Sequence, residues 1–113
     1  MELVRLTFFT DDVPSMTRFY EGLTGSKPTH TDGSVATFDL DGVDVLIHET
    51  YDPAPDGLPP ADHAEYAVDD VDELFATLVD DGIEPFREPA DYEWGRTAYL
   101  RDPDGRIVEL VER

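Results

Sequence analysis

The sequence predicts a single α+β domain in which a strand–helix–strands unit occurs twice and the two sheets wrap around a shared concave face. Asp-Asp-Val occurs at residues 11–13 and again 58 residues later at 69–71, with a strand-like run before each copy and an amphipathic helix pattern after it. Strand-like runs separated by turn signals follow both helices. The 113 residues suffice for one core but not for two independent ones.

The first copy begins with a strand-like run at residues 3–9 and continues as a helix. Asp12 is placed to cap this helix, Pro14 suits its first turn, and Gly25 lies just past its end. The runs 34–40 and 43–49 then flank an Asp-Gly pair and predict a hairpin. The helix has an apolar face with i, i+3, i+4, i+7 spacing, formed by Met16, Phe19, Tyr20 and Leu23.

The second copy repeats this order from residue 63 onward. Asp70 is placed to cap its helix and Gly82 lies past the end, and strand-like runs follow at 83–89, 96–101 and 106–112. The apolar face of this helix is predicted to consist of Val71, Leu74, Phe75 and Leu78.

A proline-rich stretch at residues 51–62 lies between the copies and indicates a linker. We therefore expect a first module at about residues 1–50 and a second at about 63–113, called module one and module two below.

The composition excludes several functions. With 27 acidic and 8 basic residues the net charge is −19, which repels nucleic acid and anionic membranes. The acidic residues are scattered, as in proteins of salt-loving organisms, where they keep the surface hydrated. The absence of cysteine excludes disulfides, thiol catalysis and thiolate metal sites. Because no long apolar run or leader pattern occurs, we expect a cytoplasmic protein.

The last predicted strand contains one acidic residue on an apolar face. Glu109 points to the same side as Ile107 and Val111. A carboxylate in this position is paired, bound to a metal, or at the rim of a cavity.

The whole pattern resembles the vicinal oxygen chelate superfamily, which includes glyoxalase I, bleomycin-resistance proteins and extradiol dioxygenases. The resemblance runs from about residue 3 to 112 and rests on "DDVPSMTRFYEGLTG", "HAEYAVDDVDELFATLVDDGIEP" and above all "WGRTAYLRDPDGRIVELVE". It implies two tandem βαβββ modules that form a curved mixed sheet around a concave cleft. Enzymatic members hold a divalent metal in that cleft, and members of this length usually form homodimers.

The resemblance also assigns four metal-ligand positions. The last falls on Glu109 and the one opening module two on His63. The equivalent of His63 in module one is Arg5, where metal-binding members have histidine. The fourth position falls on Leu46, with His48 two residues further on. Two of the four ligands are thus lost, and no metal cofactor is expected.

The residues at these positions suit an internal ion pair. A guanidinium is always protonated, so Arg5 offers no metal-binding lone pair and repels a cation. We expect Arg5 to donate hydrogen bonds to Glu109 and to satisfy this carboxylate without a metal. The alternative is a rearranged divalent metal site formed by His63, Glu109 and His48.

His63 and Glu109 are the candidate catalytic residues. Glu65 follows His63 on the same face and is either a second carboxylate in the cleft or a solvated edge residue. The full predicted ligand-binding set is Arg5, Thr7, Phe9, Leu46, His48, His63, Glu65, Trp94, Arg96 and Glu109.

Two residues of "DYEWGR" at 91–96 have alternative interpretations. Trp94 either forms an apolar lid over the cleft together with Tyr92 or packs at the edge of the core. Arg96 either recognises an anionic ligand or balances the local acidity of Asp91, Glu93 and Asp102.

Three functions fit these residues. The first is a small-molecule-binding protein that has lost the metal, comparable to the bleomycin-resistance branch. The second is a metal-dependent lyase or isomerase resembling glyoxalase I with an altered ligand set. The third is a metal-free enzyme in which His63 is the base and Arg5 stabilises an oxyanion. We favour the first, and the sequence names no particular ligand.

Overall fold

The structure is a computed structural model that describes residues 1–51 and 61–113. The chain divides into two compact units, one of Arg5–Asp62 and one of Met1–Val4 with His63–Arg113. Most of the predicted linker at 51–62 lies outside the described residues.

Module one has a four-stranded mixed sheet and one helix. Its elements are β1 (Glu2–Thr10), α1 (Val13–Thr24), β2 (His30–Thr31), β3 (Val35–Leu40) and β4 (Val43–Glu49). The strands follow the order β2-β3-β4-β1. β1 pairs with β4 in parallel, whereas β3 is antiparallel to both β2 and β4.

Helix α1 begins and ends where the sequence predicts. The Asp12 side chain accepts a hydrogen bond from the Ser15 amide at 3.0 Å, and Gly25 has the left-handed φ of 70° that favours glycine at a helix end. The apolar face is only partly as predicted, because Phe19 and Leu23 are 60% and 67% exposed. The helix residues that pack on the sheet are Val13, Met16 and Tyr20. The buried face of the helix therefore does not include Phe19 and Leu23.

Module two repeats the arrangement. Its elements are β5 (His63–Val68), α2 (Val71–Asp80), β6 (Glu84–Tyr92), β7 (Gly95–Arg101) and β8 (Ile107–Glu112). The order is β5-β8-β7-β6, with β5 parallel to β8 and the β8–β7 and β7–β6 pairs antiparallel.

Helix α2 confirms its predicted start and apolar face. The Asp70 side chain accepts from the Glu73 amide at 3.1 Å, and Gly82 follows the helix with a φ of 99°. All four predicted apolar residues pack in the core, whose buried members are Val68, Val71, Phe75, Ala98, Leu100 and Leu110.

These elements confirm the α+β class with two βαβββ modules. Among the described residues, neither helix has the length and apolar character needed to cross a bilayer. Each helix packs on one face of its own sheet, so successive strand residues alternate between the helix side and the opposite side. This alternation positions the candidate site.

The core of module two supports a first prediction. Leu110 is 1% exposed on β8, and Leu110→Ala should lower the free energy of unfolding by about 2–5 kcal/mol, because the truncated side chain leaves a cavity. Leu23→Ala makes the same chemical change at an exposed position and should alter it by less than about 0.5 kcal/mol. Urea unfolding in high salt measures both, and equal losses would contradict this packing.

Candidate functional site

Polar side chains gather on the face of the module two sheet that is turned away from α2. Glu65 on β5 and Glu109 on β8 are register partners in the parallel pair. Tyr99 on β7 is the register partner of Glu109 on its other side. Glu65 and Glu109 are 2% and 6% exposed, so two carboxyl groups are buried side by side.

His63 forms the shortest described contact to this pair. Its Nε2 lies 3.0 Å from Glu109 Oε1, and both side chains are largely buried. The structure thus brings together the two candidate catalytic residues. The predicted Arg5–Glu109 ion pair would join residues of different compact units and stays a prediction.

The surroundings of Glu109 favour its charged form. Burial alone would raise the pKa of this carboxyl, but hydrogen bonds from His63, Glu65 and Tyr99 outweigh burial and lower it. Arg113 adds a positive charge 3.6 Å from Glu65 Oε2.

Tyr99 remains a neutral phenol next to this cluster. Burial, followed by the negative charge of Glu109, raises the pKa of Tyr99 far above its usual value. The phenol therefore serves as a hydrogen-bond donor to Glu109 at neutral pH.

An aromatic surface extends from the cluster to the β6–β7 turn. Tyr99 meets the rings of His63 and Tyr92 edge-on at 6.4 and 6.3 Å. Tyr92 stacks on Trp94 with ring centroids 4.6 Å apart and planes inclined by 12°. The indole N–H donates to the buried Thr97 hydroxyl at 3.0 Å, which fixes the ring although Trp94 is 54% exposed.

In module one, β1 and β4 bring the predicted residues onto one face. The register places Thr7 opposite Leu46 and Phe9 opposite His48. The His48 ring lies 5.6 Å from that of Phe9, and its Nδ1 is 2.7 Å from the Glu49 carbonyl oxygen. This face is opposite to the one that packs under α1.

Arg5 lies on the same face and is directly opposite Asp44 in the register. Its Nη2 is 3.5 Å from Asp44 Oδ2, at the outer limit of a hydrogen bond. Asp44 was not among the partners predicted for this guanidinium.

Arg96 is held by carboxylates on the α2 side of the sheet. It donates to both Asp72 oxygens at 2.6 and 2.8 Å and to Asp91 at 3.1 Å. The hydrogen bond with Asp72 is the main cause that raises the pKa of Arg96 and lowers that of Asp72. This agrees with the interpretation that Arg96 balances local acidity, although Asp72 takes the place expected for Glu93 and Asp102.

The four-ligand metal set implied by the resemblance does not fit these residues. Module two supplies His63 and Glu109, but Arg5 and Leu46 at the other two positions have no metal-binding lone pair. Within residues 1–51 and 61–113, three close acidic ligand atoms occur instead at exposed Asp70, Asp72 and Glu112.

That acidic group already has structural partners. Asp70 caps α2, Glu112 accepts from the Val71 amide at 3.2 Å, and Asp72 binds Arg96. These contacts account for the proximity of the three carboxylates without an ion.

Tyr99 and Thr97 were not among the site residues predicted from the sequence. The alternation in "RTAYLR" places both on one face of β7, which was a usable signal. Their partners Glu109 and Trp94 depend on cross-strand register and turn geometry, which the local sequence does not contain.

The buried carboxylate supports a second prediction. Glu109→Gln should lower the free energy of unfolding at neutral pH by about 1.5–3 kcal/mol, the usual contribution of hydrogen bonds to a charged group. The pKa of Glu109 is lowered from 4.5, so its contribution is complete above that pH and is lost as the pH falls through the folded value. The difference between wild type and variant should therefore shrink in acid.

Urea unfolding in high salt, from neutral to acidic pH, measures this difference. Glu88→Gln at an exposed position of β6 is the matched control and should be close to wild type throughout. A Glu109→Gln deficit that grows in acid would show that the carboxylate is not the stabilising form.

Comparison with known proteins identifies the fold. The sequence model of one protein family, the Glyoxalase/Bleomycin resistance protein/Dioxygenase superfamily, matches residues 2–110. No curated protein matches the chain.

Several solved structures have the same fold at low identity. A hypothetical protein from Bacillus halodurans has a TM-score of 0.78 at 15% identity, covering 99% of this chain and 94% of that one. Methylmalonyl-CoA epimerase from Streptomyces coelicolor, a variant in complex with 2-nitronate-propionyl-CoA, has a TM-score of 0.68 at 20% identity, with 99% and 94% covered.

A glyoxalase/bleomycin resistance protein/dioxygenase superfamily member from Vibrio splendidus has a TM-score of 0.66 at 18% identity, with 99% and 98% of the two chains covered. At these identities the structures show the shared fold alone. Because the family model matches nearly the whole length, this chain belongs to the Glyoxalase/Bleomycin resistance protein/Dioxygenase superfamily.

Proposed function

We propose that this chain binds a small organic ligand on the polar face of module two and that it does so without a divalent metal. The observation that supports this most is the state of Glu109. This carboxylate, at the position of the family's last metal ligand, lies 3.0 Å from His63 Nε2 and is flanked by its register partners Glu65 and Tyr99. A metal at Glu109 would have to replace these contacts.

The repeat equivalent of His63 adds to this argument. Arg5 has a fixed positive charge, and two unit charges 4 Å apart interact by about 4 kcal/mol at an effective dielectric constant of 20. A divalent ion near the guanidinium would be repelled by roughly twice as much.

The aromatic residues supply the apolar part of a ligand site. Trp94 is stacked on Tyr92 on one side, is held by Thr97 and has more than half of its surface exposed. Binding sites combine such apolar surfaces with a few fixed polar groups. Here the polar groups are His63, Glu109 and Tyr99, so the ligand should have a flat apolar body and one polar end.

A second candidate is a metal-free enzyme with His63 as its base. The Glu109 carboxylate 3.0 Å from the imidazole orients the ring and stabilises its protonated form, as a general base requires. A metal-dependent lyase or isomerase similar to glyoxalase I is the third candidate and requires Arg5 to leave its present position. We also propose that the protein is a cytoplasmic homodimer.

The metal-free proposal makes a third prediction. Calorimetric titration with Ni²⁺, Mn²⁺, Fe²⁺ and Zn²⁺ in high salt should show no tight stoichiometric site in the wild type. Arg5→His should raise the affinity for Zn²⁺ by at least about tenfold, because it removes the repulsion and adds a donor.

Glu112→Gln is the control for adventitious binding at the exposed acidic group. One tight equivalent of metal in the wild type that is abolished by His63→Ala and kept in Glu112→Gln would overturn the proposal. That result would instead favour the glyoxalase-like candidate.

The aromatic surface makes a fourth prediction. Trp94 is the only tryptophan, so its indole N–H gives a single assignable NMR signal. In a screen of small aromatic compounds, ligands that shift this signal should also shift His63 and Tyr99. Trp94→Leu should weaken their binding by at least about tenfold, since buried tryptophan contacts carry large shares of binding energy.

Phe19→Leu, which removes another exposed aromatic ring in module one, is the matched control. Binding that survives Trp94→Leu unchanged, or shifts confined to other residues, would contradict the assignment of this face.

A further inference from the structure

A cavity of about 720 Å³ lies on the other side of the module two sheet, at the C-terminal end of α2. Its volume is within the range of small-molecule sites, roughly 300–1,000 Å³. The cavity does not include His63, Glu65, Tyr99 or Glu109. It is therefore separate from the ligand site proposed above.

The cavity exists because the helix is shorter than the sheet that it covers. α2 has 10 residues and spans about 15 Å, whereas the 7 residues of β7 span about 23 Å. After Asp81, the chain turns at Gly82 and enters β6 at Glu84. The end of the sheet that carries the β7–β8 turn is thus left without a helix above it.

The walls of the cavity are mostly apolar. Strands β5, β7 and β8 supply its floor with Tyr66, Leu100, Val108 and Leu110. Leu78 near the end of α2 and Ile83 in the segment before β6 supply one side. Ile83 is 38% exposed, so an occupant would cover apolar surface that now faces water.

One polar group in the cavity has no partner in the part of the chain that the structure describes. The Tyr66 hydroxyl makes no hydrogen bond to residues 1–51 or 61–113. It is not among the buried side-chain atoms that lack a partner, so it is accessible to solvent. This hydroxyl is therefore available to an occupant of the cavity.

Two of the charged residues that line the cavity, Arg101 and Asp102, are already engaged. Arg101 donates to the Gly105 carbonyl at 2.8 Å, and its guanidinium lies 4.4 Å above the Phe86 ring. Asp102 accepts from the amides of Asp104 and Arg106 at 2.9 and 2.8 Å. With a net charge of −19 on the chain, an anionic ligand is also disfavoured.

We propose that this cavity is a second binding site, which takes a small neutral and largely apolar molecule with one hydrogen-bonding group that meets the Tyr66 hydroxyl. The apolar body fills the space over Leu100 and Leu110. This site does not depend on the function proposed for the opposite face of the sheet.

The test uses N-phenyl-1-naphthylamine, a neutral apolar dye with one N–H that becomes bright in an apolar site. We expect saturable binding of one dye per chain. Tyr66→Phe should weaken it by about 2–12-fold, the loss of one hydrogen bond. Ile83→Trp, which places a larger side chain at the rim, should weaken it by at least about tenfold.

Leu23→Trp introduces the same side chain at an exposed position of module one and should leave dye binding unchanged. Because the dye also suits the aromatic surface on the opposite face, the dye titrations are made in the Trp94→Leu background, which removes that surface. Urea unfolding of each variant verifies that it folds, and nuclear Overhauser contacts from the dye to the methyl groups of Leu100 and Leu110 in the wild type test the site without any substitution.

Three results would overturn the proposal. The first is dye binding that is unchanged in both Tyr66→Phe and Ile83→Trp, or equally weakened in Leu23→Trp. The second is the absence of contacts between the dye and the Leu100 and Leu110 methyl groups. The third is a loss of dye fluorescence under conditions in which sedimentation shows that the protein self-associates. In that case a second copy of the chain, and not a small molecule, would occupy the cavity.

Discussion

Each module has one helix for a sheet of four strands, and a helix covers only one face of a sheet. The alternation of side chains then divides every strand into residues that pack under the helix and residues that do not. In module two, Leu110 packs under α2 while its neighbour Glu109 points to the opposite side. The same constraint separates the two proposed sites, since one lies on each face of this sheet.

The cluster around Glu109 shows what a buried carboxylate requires. Removing a charge from water is unfavourable unless hydrogen bonds replace those of the solvent. His63 and Glu65 lie on β5 and Tyr99 lies on β7, and together they provide this replacement. Their positions are set by the register of β5, β8 and β7, so the chemistry of the cluster depends on the pairing of the whole sheet.

Local patterns in the sequence were sufficient for the helices, their caps and the division into two repeats. Asp12 and Asp70 cap the helices as expected, because capping involves residues only three positions apart. The apolar period was less reliable for α1, where Phe19 satisfies the spacing but lies on the exposed side. Spacing defines a stripe on a helix, whereas tertiary packing decides which edge of that stripe is buried.

The site was harder to predict because its contacts join distant residues. The family resemblance assigned His63 and Glu109 to one ligand set and so implied that they are close, but the local sequence did not indicate their direct 3.0 Å contact, since 46 residues separate them. Tyr99 and Asp44 were missed for the same reason, as each is defined by a partner on a neighbouring strand. The cavity beneath the end of α2 follows from the relative lengths of helix and strands, which no single motif encodes.

The terminal strands of the sheets restrict how this chain associates with other copies. β6 contains Pro85 and Pro89, and its pairing with β7 shifts register twice, while β2 has only two residues. Proline lacks an amide donor, and short or irregular edges offer few backbone groups to a further strand. Pairing of β2 or β6 with the sheet of another copy is therefore disfavoured, and any association at these two strands would depend on side-chain contacts.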